Sequence, residues 1–125
     1  LDSGVRILRR PSELAGDEVA SVPVFRHIID QYPCDIHVNY NCNFPECPVA
    51  VLEKAVEIAL ETGESLSVPL AVWAQTKERL ADYGNPFEIT ATRFEDHRIH
   101  PVDVHCMEDL LEIHRLHQPE LSKEW

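Results

Sequence analysis

The sequence predicts a three-layer α/β domain, helices packed on a mixed sheet, and two observations carry that prediction. Hydrophobic spacing alternates along the 125 residues between a period of two and recurrences at three and four, so strand and helix patterns follow one another. The stretch from Pro33 to Thr62 then reads as a strand, a polar loop and a long helix, the half-unit from which parallel sheets are built. Ligands of such sheets sit at the carboxyl ends of the strands, so functional residues are expected between Asn39 and Cys47.

Taken in order, Val5 to Leu8 is a short apolar run expected as an edge strand, closed by Arg9-Arg10-Pro11 because proline cannot donate to a ladder. Ser21 is the expected cap of a first helix over 22–31, with Pro23 in its first turn and Val22, Phe25, Ile29 and Tyr32 at helical spacing. Residues 35–40 alternate Ile36, Val38 and Tyr40 with polar neighbours, a strand pattern. Pro45 and Pro48 end it, and Leu52, Val56 and Leu60, flanked by Val51, Ala55 and Ala59, mark a helix over 49–61 that stops at Gly63. Residues 65–72 read as one strand with Pro69 as its irregularity, 75–83 as a helix closing on Gly84, and 87–92 and 99–104 as two further strands. The last helix, 107–117, opens on Glu108 and Asp109, which suit the positive end of its dipole, and is expected to bury Leu110, Leu111, Ile113 and Leu116.

Composition narrows the function. With 22 acidic against 11 basic side chains, the formal charge of −11 opposes nucleic acid and anionic membrane surfaces, though not a nucleotide carried with a divalent cation. No apolar run approaches the roughly 18 residues that span a bilayer. The chain opens at Leu1 without a basic, apolar leader, and with Cys34, Cys42, Cys47 and Cys106 read as reduced thiols the expected location is cytoplasmic. Cys42, Cys47 and His37 do not match the spacing of structural zinc sites, and His114 with His117 reads as a surface pair. Arg9 and Arg10 invite an anionic partner; the alternative, a solvated pair or an ion pair with Asp17 or Glu18, is the one composition favours.

Three segments, in order, resemble the nucleotidyltransferases that make CMP-activated acidic sugars, the acylneuraminate cytidylyltransferases and their relatives. Arg10-Pro11-Ser12-Glu13-Leu14-Ala15-Gly16-Asp17 resembles the family's Arg-Pro-x-x-Leu-Ala-x-Asp. Asp35 to Ala55 resembles its strand, Leu-Gln-Pro-Thr-Ser-Pro-Leu-Arg loop and helix, with Asn41 on the glutamine and Pro45 on the second proline. Cys42, Asn43, Phe44, Glu46 and Cys47 replace the rest of that loop. Val102 to Leu110 resembles Asp-Ile-Asp-Thr-x-Glu-Asp-Leu, with Asp103 on the first metal aspartate and His105 in place of the second. The resemblance implies a Rossmann-like, GT-A-type partial domain corresponding to the C-terminal part of a cytidylyltransferase, because the family's Gly-rich triphosphate loop has no counterpart before Arg9. It further implies ligand contacts from Arg9, Arg10, Asn41 and Asn43 to a nucleotide or acidic sugar, and a magnesium or manganese ion at Asp103 and His105. Independent catalysis is not expected. The competing reading is a non-catalytic module that binds a small ligand or a protein. A sheet lacking its opening strands exposes an edge or an apolar face, so a homodimer or higher oligomer is expected.

Overall fold

The computed structural model describes residues 4–117, which form a four-stranded mixed sheet flanked by helices. In chain order the elements are α1 (Ser21–Gln31), β1 (Ile36–Tyr40), α2 (Val49–Thr62), β2 (Glu64–Val68), β3 (Val72–Thr76), α3 (Lys77–Ala81), β4 (Thr92–Glu95) and α4 (Met107–His117). The strands lie in the order β1-β3-β2-β4; β3 is antiparallel to both its neighbours, and β2 and β4 are parallel. Among the described residues no helix is long and apolar enough to cross a membrane.

Side-chain alternation along β3 separates the two faces. Val72 and Ala74 join Val51, Ala55 and Ala59 of α2 in one core, while Trp73 joins Leu66, Val22 and Phe25 of α1, and Leu80 of α3, in the other. Helices therefore cover both faces, as the expected layering requires. On α2 the buried stripe is Val51, Ala55 and Ala59, whereas Leu60, expected to face inward, is 64% exposed. The alanines let the helix axis approach the sheet closely, and Gly63, at φ 96°, closes the helix in the left-handed region. Arg26 ties α1 to α3 by donating to the Leu80 and Tyr83 carbonyls at 2.6 and 3.0 Å.

Several expected elements are corrected. Val5 to Leu8 is irregular rather than a strand, with Ile7 87% exposed. Residues 65–72 are not one strand: β2 stops at Val68 and the chain turns back as β3 at Val72. Pro69 cannot extend the ladder, and the Ser67 hydroxyl holds the turn by donating to Pro69 O and accepting from the Ala71 and Val72 N–H groups. The helix expected over 75–83 shrinks to α3, because residues up to Thr76 belong to β3 and the Thr76 hydroxyl caps the helix by accepting from Arg79 N–H. The strand expected over 87–92 is displaced to β4, since Thr90 is held off the sheet by Tyr83 Oη and Glu64. Residues 99–104 form an extended segment, not a strand, whose backbone bonds to a loop. The cap of α1 is Ala20 instead of Ser21, and Leu110 and Leu116 of α4 are about half exposed while Ile113 is buried.

Candidate functional site

The carboxyl ends of β1, β2 and β4 lie at one end of the sheet, and the loop from Asn41 to Pro48 is built there around Asn41. Its N–H donates to Ala71 O at 2.7 Å and its Nδ2 to Leu70 O at 3.2 Å, tying the loop to the β2–β3 turn. Its Oδ1 accepts from Asn43 N–H at 3.1 Å, an Asx turn, and its carbonyl accepts from Phe44 N–H. Phe44 then enters the α2-side core, and Tyr40 Oη donates to its carbonyl.

A second segment closes against this loop. Val104 N–H donates to Asn43 O at 2.7 Å and His100 N–H to Glu46 O at 3.0 Å, so residues 100–104 run antiparallel alongside residues 43–46. The residues matched on sequence thus fall into two groups. Asn41, Asn43 and the Asp103–His105 segment are brought together, although about 60 residues separate them. Arg9 and Arg10 are exposed and follow Leu8, which lines a groove with Ile28 of α1 and Tyr32 just after it, so the structure does not set them in the loop.

Asp103 and His105 are occupied with each other. His105 Nε2 lies 2.9 Å from Asp103 Oδ2, with both side chains substantially exposed, while Asp103 Oδ1 is buried without a hydrogen-bond partner. The backbone N–H of His105 also donates to Asp109 Oδ2 at 3.0 Å, and this bond, followed by those from Cys106, holds the Asp109 carboxyl below the usual carboxylate range. This set does not fit magnesium. The ion needs near-octahedral oxygen ligands, whereas here one carboxylate oxygen is already engaged by the imidazole nitrogen that would be its companion ligand. Among the described residues no three His, Cys, Asp or Glu side chains are grouped to hold a metal.

Sequence reading missed the most strongly held charged pair at this end. Asp96, buried just beyond β4, accepts from Arg98 Nε and Nη2 at 3.0 and 2.7 Å and from Arg98 N–H at 3.0 Å. The guanidinium bonds hold its carboxyl far below the usual range. A cleft of about 230 Å³ lies beside it, lined by Val68, Pro69, Glu95, His97 and Pro101. The Asp-x-Arg spacing of Asp96 and Arg98 is the available signal, hidden because the alternation of residues 87–92 places the strand too early. Burial raises the pKa of the Cys47 thiol, and neighbouring Asp96 adds to the shift. No family model, curated protein or solved structure matches the chain.

Proposed function

We propose that this chain is a nucleotidyltransferase-related domain of the GT-A, Rossmann-like type, akin to the enzymes that activate acidic sugars as CMP-sugars, and that it binds a nucleotide or acidic sugar without catalysing transfer on its own. The observation that supports this is the bond from Val104 N–H to Asn43 O. It sets the third matched segment against the second at the carboxyl end of β1, where ligands of α/β sheets bind. Asn41 and Asn43 are the ligand contacts in this reading, and Arg9 and Arg10 contribute long-range attraction for an anion in an otherwise acidic chain. Catalysis is withheld because Cys42, Phe44 and Cys47 occupy loop positions where the family presents polar and basic groups, and because His105 replaces a carboxylate. Each missing transition-state donor costs on the order of 100- to 1000-fold in rate.

The alternative, a protein-interaction module, is favoured by one feature: among the described residues β1 has a sheet neighbour on one side only. Self-association as a homodimer or higher oligomer accompanies either reading. Titrating the chain with CTP and with a CMP-linked acidic sugar, followed by amide chemical shifts, separates them. Shifts centred on Asn41, Asn43 and Val104, with no pyrophosphate release, are the expected result. An unchanged spectrum at millimolar ligand would remove the nucleotide reading, and pyrophosphate release coupled to CMP-sugar formation would overturn the loss of catalysis.

A further inference from the structure

The free edge of β1 has a defined chemistry. Asn41 N–H donates to Ala71 O and Asp35 O accepts from Lys77 N–H, so the odd-numbered residues of this strand turn their backbone groups toward β3. The N–H and C=O groups of Ile36, Val38 and Tyr40 therefore point away from the sheet. Among the described residues no backbone group bonds to them. Folded proteins usually blunt such edges with charge, proline or a bulge. The opposite edge strand, β4, has Arg93 and Glu95 exposed, whereas β1 from Ile36 to Tyr40 carries no acidic or basic chain except His37. Burial lowers the pKa of His37, which disfavours its charged form.

We infer that β1 is the interface for a second copy of this chain, paired antiparallel about a two-fold axis at Val38, so that one sheet runs through both subunits. This builds on the self-association proposed above and does not depend on the nucleotide reading. The strand is self-complementary in that register. Val38 meets Val38 and Ile36 meets Tyr40, all through outward-facing groups, so each pair exchanges both of its N–H···O bonds. Sliding by two residues leaves one of the three without a partner, and sliding by one turns inward-facing groups to the interface. On the α2 side the apolar stripe of Ile36, Val38 and Tyr40 continues into its own copy, and on the other side His37 faces Asn39. Two chains of charge −11 can meet here because the contacting strands oppose no like charges. An isologous pairing also closes on itself, where a head-to-tail strand addition would propagate.

Sedimentation and amide hydrogen exchange, run from low micromolar to near-millimolar protein, test this on the unmodified chain. A dimer is expected in which the amides of Ile36, Val38 and Tyr40 become at least tenfold slower to exchange as concentration rises, while those of His37 and Asn39, bonded to β3, are slow throughout. Val38→Pro removes the central outward N–H without touching the β3 ladder and should leave a monomer; if that variant does not fold, the exchange pattern still decides. A monomer across the whole range would overturn the inference, as would a dimer whose three outward amides stay fast or protection that appears only with a different protein. The amides of Asn41 and Asn43 report ligand binding separately, so the two readings fail independently.

Discussion

Both faces of the sheet carry a buried core, but the two cores are held by different physics. Under α2 the contact is one of volume: Val51, Ala55 and Ala59 meet Val72 and Ala74, and the polar groups present, Ser65 and Ser67, give their hydroxyls to nearby backbone. Under α1 and α3 the contact also holds a buried polar network. Glu64, 1% exposed, accepts from Trp73 Nε1 at 2.6 Å, Tyr83 Oη at 2.9 Å and Thr90 Oγ1 at 2.7 Å. Beside it, Gln75 Oε1 is bonded to His37 Nδ1 at 2.8 Å, and its Nε2 is left buried without a partner. A close-packed face penalises added or lost volume, while a networked face penalises any member that leaves its partners unmet. The Glu64 network also fixes the otherwise irregular 83–91 segment to the sheet, with Arg79 bridging Thr90 to Thr62 O.

The largest test of that difference is Glu64→Leu. It keeps apolar bulk but leaves an indole N–H and two hydroxyls without an acceptor, a loss expected to be on the order of 3–5 kcal/mol. Urea denaturation at neutral pH reads it directly, and a cost below about 1 kcal/mol would mean the network carries no stability. Ala59→Leu tests the other face. Adding methylenes at a fully buried position of α2 should cost about 1–3 kcal/mol through displaced neighbours. If Ala59→Leu proved worse than Glu64→Leu, the contrast between the faces would be reversed.

Which parts were legible in the sequence follows from the same contrast. The spans of α1, β1, α2 and α4 were readable because each shows sustained periodicity bounded by proline, glycine or acidic residues. The β2–β3 hairpin was not, since Leu66, Val68, Leu70 and Val72 alternate without interruption through a turn that Pro69 alone betrays. Alternation does not reveal burial on the second face either: a central strand covered on both faces buries Ser65 and Ser67 as completely as Leu66. Glu64 was invisible for a related reason: nothing local distinguishes a buried glutamate from a surface one when its partners lie 9, 19 and 26 residues away. At the site, Asn41 and Asn43 could be located because a strand-to-helix loop has one place to go. Arg9 and Arg10 could not, because between them and α1 the chain makes only a single 3-10 turn, Ser12–Leu14, which buries no residue and so leaves no periodic signal.

Ser65→Ala is a milder change on the volume-dominated face. The Ser65 hydroxyl donates to Ala55 O at 2.6 Å, but that carbonyl also lies within α2, where the helical ladder supplies its own donor. Losing the hydroxyl therefore strands no acceptor, and the cost should be about 0.5–1 kcal/mol by the same urea measurement. A loss above about 2 kcal/mol would show that this face relies on specific hydrogen bonds as the other does.

The smallest expected effect is a pH dependence from His37, which packs on Phe25 with ring centroids 4.5 Å apart. Burial lowers its pKa from the ordinary 6.5, opposed in part by the bond to Gln75. The unfolded chain therefore binds the proton more readily than the folded one. Stability attributable to His37 is full above about pH 6.5 and declines as pH falls from there toward the folded pKa. The measurement is a difference: unfolding midpoints of the chain and of His37→Gln between pH 7.5 and 5.5. Glutamine can still donate to Gln75 but cannot take up a proton in this range, so the variant should lose less stability on acidification than the parent. Equal losses would mean that His37 is solvated in its charged form, and that the networked face opens to water at the β1 edge.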